Sequence, residues 1–326
     1  MSYEKELVTA LNAVKKACEI CMDARRSLVS GETAAKNDRS PVTIADFASQ
    51  ALICLHLSDS FPDDVIVAEE DSSLLRENRV LLSGVHQLVN RQIPEISAEQ
   101  IPQAIDQGAG NPDISVFSQR YWTADPIDGT KGFLRGDQYA VALALVEKGR
   151  PVLAVLGCPE FPASEREKGR IFYAVRGKGA FALSLKGEAQ QPVSADKSSA
   201  ENACFCESVE SAHADHDIHR RICEMAGFKA PPFRMDSQAK YAAVACGKAS
   251  VYLRLPRKKD YREKIWDHAA GALLVEEAGG RVTDFSGRPL DFSLGRTLAG
   301  NTGILVSNGI LHETVLNAIV KTGVCA

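Results

Sequence analysis

Asp125-Pro126-Ile127-Asp128-Gly129-Thr130 is the stretch on which the reading of the whole chain turns. The apolar and aromatic run over 116–124 predicts a strand that ends at Asp125. Two carboxylates three residues apart, on a turn stiffened by Pro126, aim hard oxygen ligands at one point, and the backbone carbonyl of Ile127 can join them. With no Cys or His nearby, that donor set suits Mg²⁺ or Mn²⁺ and not zinc. Gly129 permits close approach of the backbone, and Thr130 is placed to open a helix whose unpaired N–H groups and positive dipole end attract an anion. Alone, Asp-x-x-Asp-Gly is more often a capped turn. Its meaning depends on what else in the chain converges on it.

The 326 residues are 45% hydrophobic and 25% charged, the balance of a soluble globular protein with one large domain or two ordinary ones, which excludes disordered, collagenous and membrane classes. A net charge of −4 gives no global attraction for nucleic acid or anionic lipid, so neither partner is expected and any anion must be bound by a local cluster. Met1-Ser2-Tyr3-Glu4-Lys5-Glu6 runs directly into an amphipathic helix with neither a secretory nor a transit pattern, and the expected location is the cytoplasm. The nine cysteines are scattered and odd in number, which argues against a disulfide framework. Cys18 and Cys21 share a helical stripe with Leu7, Leu11 and Val14, and they read as buried thiols.

Periodicity predicts a helix over 4–29, a polar loop over 32–40 and a second helix to about residue 58. In the second helix Ile44, Phe47, Ala48, Ala51, Leu52 and Leu55 form the apolar stripe, leaving Asp46, in its first turn, on the other side. The apolar run 65–68 predicts a buried strand that delivers Glu69 and Glu70 at its C-terminal end. This is a second strand end bearing paired acids, and ligands in open α/β sheets gather beyond such ends. Residues 71–115, with helical patches at 80–89 and 97–105, read as an insertion over the site. Alternation over 139–146 with 151–156, and over 171–175 with 180–183, predicts two hairpins. A polar, Ser-rich shift over 186–202 separates an N-terminal α+β domain, 1–185, from a C-terminal α/β domain, 186–326.

In the second part strands are expected over 203–206, 250–255, near Val282 and over 304–306, and helices over 215–226, 239–246, 266–278 and 310–321. Asp267 then falls at the start of the third of these helices. Arg254, Arg257, Lys258, Lys259, Arg262 and Lys264 form a basic cluster; most of it reads as a solvated face, yet local positive charge is what a polyanionic substrate requires. His213, His216 and His219, at three-residue spacing, drift off one helix face and read as surface or substrate contacts.

Glu69-Glu70, the 125–130 motif and Trp266-Asp267-His268-Ala269-Ala270-Gly271, followed by Glu277-Ala278-Gly279-Gly280, together resemble the lithium-sensitive, magnesium-dependent phosphatase superfamily that includes inositol monophosphatase. Ser40-Pro41-Val42-Thr43-Ile44-Ala45-Asp46, Lys131-Gly132-Phe133, Asp236-Ser237-Gln238-Ala239-Lys240-Tyr241 and Val251-Tyr252-Leu253-Arg254-Leu255-Pro256 are similar to the 3′(2′),5′-bisphosphate nucleotidases within it. Ala68 stands where the superfamily usually has Gly, a change that leaves the ligand chemistry intact.

The resemblance implies an α+β fold, a layered α-β-α-β-α sandwich of the inositol monophosphatase/fructose bisphosphatase type. It implies two or three Mg²⁺ ions held by Glu69, Asp125, the Ile127 carbonyl, Asp128 and Asp267, with Asp46 and Thr130 positioning and deprotonating the attacking water, and inhibition by Li⁺. Gly129 and Thr130 amides would clamp the scissile phosphate, and Glu210, His213, Ser237, Lys240, Arg254 and Lys264 would surround the nucleotide. The implied reaction is hydrolysis of 3′-phosphoadenosine 5′-phosphate to AMP and phosphate by a monomer, with 3′-phosphoadenosine 5′-phosphosulfate as a second substrate and a role in sulfur assimilation and salt tolerance. The alternative is inositol polyphosphate 1-phosphatase or inositol monophosphatase activity, because a metal centre alone does not select the alcohol. A catalytically silent metal and nucleotide sensor is disfavoured, since a pure binder has no need of a water activator.

Overall fold

The computed structural model describes residues 2–29, 41–162, 167–187, 189–209, 216–256 and 261–324. It begins with α1 (Glu4–Val29), α2 (Pro41–Ser60), β1 (Val65–Ala68), α3 (Ser73–Glu77), α4 (Arg79–Asn90) and α5 (Gln100–Ala109). β2 (Arg120–Asp128), α6 (Thr130–Arg135), β3 (Ala140–Glu147), β4 (Arg150–Pro162), β5 (Lys168–Val175), β6 (Gly179–Ser184) and β7 (Gln190–Val193) follow. The remainder is β8 (Phe205–Glu207), α7 (His216–Ala226), β9 (Phe233–Arg234), α8 (Ala239–Ala245), β10 (Val251–Arg254), α9 (Ala269–Glu277), β11 (Arg281–Thr283), β12 (Ile304–Ser307) and α10 (His312–Thr322). No helix among the described residues is long and apolar enough to cross a membrane.

The strands form a seven-stranded sheet, β1 to β7 in order, and a five-stranded sheet ordered β11-β12-β10-β8-β9. The large sheet is antiparallel except for the β1–β2 pair. Side chains alternate across each strand, and that alternation builds the layers. On β3, Val141, Leu143 and Leu145 join a core with α1 and α2, whereas Ala140, Ala142, Ala144 and Val146 join a second core with α8 and α9. In the small sheet Tyr252, Ile304 and Val306 belong to that same second core, while Val251, Leu253 and Leu305 pack with Ile222 of α7 and Val315 and Ile319 of α10. The architecture is therefore the α-β-α-β-α sandwich implied by the motifs. Small residues let the middle layer approach closely: a Cβ at Gly271 of α9 would lie 2.3 Å from the Tyr241 ring on α8.

The helices of 71–115 bury Leu75, Leu81, Val85, Ile101 and Ile105 in the α1–α2 core. The two hairpins form where alternation places them, the first turning through Lys148 and Gly149, both with positive φ. β7 and β9 lie in stretches without alternation, so periodicity does not reveal them.

Candidate active site

Asp125 and Asp128 both lie within β2 and not beyond its end, which corrects the strand expected over 116–124. Residues Ile114–Ser118 make a separate single turn, opened by the Asp113 carboxylate accepting the Ser115 amide hydrogen at 2.9 Å. Pairing of β2 with β3 shifts register between Asp125 and Asp128. Pro126 has no N–H to give to the ladder there, so the strand bulges and aims both carboxylates at the site. Its carbonyl accepts a hydrogen bond from Ser49 Oγ at 3.0 Å, which ties α2 to the motif. Asp46 stands three residues before Ser49, in the second turn of α2 and not the first, because the helix starts at Pro41. The Gln50 side chain accepts the Glu70 amide hydrogen at 2.9 Å and donates to the Glu70 carbonyl at 2.6 Å, so α2 also fixes the end of β1.

Gly129 has φ +90°, and a Cβ there would lie 2.8 Å from the Ser237 Cβ. Only glycine lets the motif close against the turn before α8 in this way. The Gln238 amide in that turn donates to Asp128 Oδ2 at 2.5 Å. The Gln238 side chain donates to the Trp266 carbonyl at 2.9 Å and accepts from the Gly271 amide at 3.3 Å, which holds the segment carrying Asp267. Asp267 precedes α9, which starts at Ala269 and not at Trp266 as expected.

Asp125 is buried, and its Oδ1 has no hydrogen-bond partner among the described residues. Burial, then the charges of Glu69, Asp128, Asp267 and Asp46, push its carboxyl well above the usual range. Burial likewise raises Asp128, against the opposing pull of Lys240, and raises Asp267, with Asp128 adding to it and Arg254 opposing. Asp46 is raised well above its ordinary value by burial and by Glu70 and Glu69, and Glu70 is pushed to about 7 by burial and Glu69. Glu69 opens to the cleft, yet loss of solvent still raises it, against its hydrogen bond with Asp125. These acids cannot all ionise together without a cation. An oxygen-liganded divalent ion such as Mg²⁺ meets that need, and the unpartnered Asp125 oxygen, beside the charges of Glu69, Asp128 and Asp267, is a ready ligand.

The cavity that contains this cluster is also lined by Gly129, Thr130, Ser237, Lys240, Tyr252, Arg254 and Tyr261. Lys240 is buried, and its Nζ donates to the Ser237 carbonyl at 2.9 Å and lies 5.1 Å from the Tyr252 ring centroid. Arg254 Nε donates to Glu263 Oε1 at 3.1 Å. Glu263 Oε2 is 3.3 Å from His268 Nε2, and His268 Nδ1 is 2.8 Å from the Tyr241 hydroxyl. Burial alone would raise Glu263, but the His268 hydrogen bond and the charges of His268 and Arg254 hold it at about 2.

Residues 2–323 match the inositol monophosphatase family. The chain belongs to that family. The 3′(2′),5′-bisphosphate nucleotidase of Schizosaccharomyces pombe is 44% identical over 340 aligned residues, covering 98% of this chain and 96% of the relative. The enzyme of the same name from Dictyostelium discoideum is 43% identical, covering 96% of both chains. Among solved structures, inositol monophosphatase II from Staphylococcus aureus superposes with a TM-score of 0.66 at 18% identity, covering 98% of this chain and 97% of that one. The inositol monophosphatase of Thermotoga maritima gives 0.64 at 22% identity, with 98% of each chain covered. At such identities the structures establish a shared fold.

In this inositol monophosphatase-family chain the structure brings Asp46, Glu69, Asp125, Asp128 and Asp267 into mutual electrostatic contact and places Gly129, Thr130, Ser237, Lys240 and Arg254 on the cavity wall. Lys264 does not line the cavity. Its Nζ sits 5.5 Å from the Trp266 ring centroid, its charge acts on Glu69, and its backbone is bridged to Thr297. Glu210 and His213 lie outside the described residues. Gln238 and Glu263 escaped the sequence reading. Gln238 sits inside the Asp236–Tyr241 motif, which was the available signal; Glu263 looks like one more acid in a charged loop.

Proposed function

We propose that the protein is a Mg²⁺-dependent 3′(2′),5′-bisphosphate nucleotidase that hydrolyses 3′-phosphoadenosine 5′-phosphate to AMP and phosphate, accepts 3′-phosphoadenosine 5′-phosphosulfate as well, and serves sulfur assimilation and salt tolerance. One observation carries this reading: a single cavity is lined both by the acid cluster and by Lys240, Arg254, Tyr252 and Tyr261. A substrate with two anionic groups and a flat ring uses both sets, whereas a single phosphate on a polyol has no use for the second. Relatives at 44% and 43% identity bear this activity in their names.

Mg²⁺ held by Glu69, Asp125, Asp128, Asp267 and the Ile127 carbonyl would neutralise charge on the phosphate and on the leaving oxygen. In this reading the Gly129 and Thr130 amides orient the scissile phosphate, and Asp46 with the Thr130 hydroxyl orients the attacking water and takes its proton. Arg254, its orientation fixed by Glu263, grips the second phosphate, and Lys240 adds a point charge beside it.

Phosphate release from a panel of 3′-phosphoadenosine 5′-phosphate, its phosphosulfate, 3′-AMP and inositol phosphates tests the proposal. Turnover should be fastest on the bisphosphate and vanish with EDTA; preference for an inositol phosphate would overturn the assignment. Li⁺, a small ion that suits oxygen ligands but supplies less charge, should inhibit. Activity unchanged from sub-millimolar to tens of millimolar LiCl, with NaCl as control, would contradict that expectation.

A further inference from the structure

Glu207 ends β8, while His216 and His219 occupy the first turn of α7, three residues apart on one face. Each offers a ligand atom, and the three atoms lie within 4.8 Å of one another. His216 Nδ1 is 2.9 Å from Glu207 Oε2, and His219 Nδ1 is 3.4 Å from the same oxygen. The first contact is at an ion-pair distance, and His216 Nδ1 is buried with no well-formed hydrogen bond among the described residues. In a tetrahedral zinc site with bonds of about 2.0–2.1 Å, neighbouring ligand atoms stand roughly 3.3 Å apart. The two separations to Glu207 Oε2, 2.9 and 3.4 Å, bracket that spacing, and all three donors are close enough to reach one ion.

Their surroundings are those of ligands held in place. Arg234 Nε donates to Glu207 Oε1 at 2.9 Å, which orients the carboxylate and leaves Oε2 toward the imidazoles. Phe205 packs edge-on to the His219 ring, with centroids 5.1 Å apart. Contacts of this kind fix the orientation of ligating side chains. Two imidazole nitrogens and one carboxylate suit Zn²⁺ or Co²⁺, in contrast to the oxygen-only set proposed for Mg²⁺. The spacing of the histidines alone pointed to surface contacts, because the third donor comes from a strand that only the fold brings to the helix.

We propose that Glu207, His216 and His219 form a second metal site of the zinc class, with water completing the tetrahedron. An ion there ties the end of β8 to the start of α7. It lies one residue from Ser208, which lines the cavity and donates to Asp236 Oδ1 at 3.1 Å. The inference does not depend on the identity of the substrate.

The test is a titration of the full chain, saturated with Mg²⁺, with Zn²⁺ and separately with Co²⁺. One equivalent of Zn²⁺ should bind in the presence of excess Mg²⁺, and Co²⁺ should show the intense visible bands of a tetrahedral site. His216 is the most exposed of the three, its side chain 30% accessible, so His216→Ala is the variant least disturbing to the fold. It should lose Zn²⁺ affinity by at least about 100-fold, the upper range for losing even a supporting contact, while Asp125→Asn retains it. No saturable Zn²⁺ binding by the Mg²⁺-saturated wild type would overturn the proposal, and that measurement needs no variant. Equal affinity in wild type and His216→Ala, or loss in Asp125→Asn, would assign the ion to the acid cluster and overturn it as well.

Discussion

Asp46 shows how a single residue acquires a role from its surroundings. It is 8% exposed and sits one turn before Ser49, whose hydroxyl is anchored on the motif carbonyl. Asp46→Asn keeps the shape and removes one acid from a mutually repelling group, so folding should not suffer. Turnover should fall by about 100-fold or more, the scale expected for a positioned base, with KM little changed and the thermal midpoint without Mg²⁺ unchanged or higher. Near-normal kcat in a folded variant would remove Asp46 from that role. At this scale the acids were legible in the sequence, because carboxylates at strand ends and in a Pro-stiffened turn carry their own signal. Glu263 was not legible: its meaning comes from Arg254 on β10 and from His268 before α9, and no spacing rule links the three. Lys264 was hard to place for the converse reason, since a lysine in a basic run gives no sign of which wall it will face.

Among the elements, β2 and the turn before α8 do most to shape the site. Gly129 has φ +90° and Ser237 φ +64°, so both sides of their contact adopt the left-handed region. Gly129→Ala adds backbone strain and a Cβ placed 2.8 Å from the Ser237 Cβ. The expected cost is about 1–3 kcal/mol in denaturant unfolding, with a drop in kcat/KM as Thr130 and Ser237 separate. Gly177→Ala is the control: its φ is +75° with nothing within 4 Å of a Cβ, so stability should fall by about 1–2 kcal/mol while kcat/KM holds. Equal kcat/KM losses in both variants would show that close packing at Gly129 is not what matters. Element identity was largely legible from periodicity, and boundaries less so. The apolar residues at 116 and 117 mimic a strand, but capping by Asp113 draws them into a turn; pairing with β3 carries β2 past the motif instead.

Across the whole molecule, the sandwich brings acids from the large sheet to Asp267, Lys240 and Arg254 beside the small one. Without metal, the raised carboxyls make stability depend on pH in a definite direction. Glu70 rises from 4.5 to about 7, so its contribution is fully present below 4.5 and is lost as pH rises through 7; Asp46 and Asp125 act in the same sense. Mg²⁺ binds the ionised acids and offsets that loss, so the rise in Tm on adding Mg²⁺ should be larger at about pH 8 than at about pH 5.5. An equal rise at both would place the ion elsewhere. The central claim is that one cavity grips two anions, the scissile phosphate at the acid cluster and the other at Arg254. Its most direct measurement is the steady-state kinetics of Arg254→Gln, which keeps a donor for Glu263, on 3′-phosphoadenosine 5′-phosphate and on 3′-AMP. KM for the bisphosphate should rise about 10- to 100-fold, equivalent to about 1.5–3 kcal/mol, while 3′-AMP hydrolysis stays near wild type. Equal losses on both substrates would contradict the two-anion cavity.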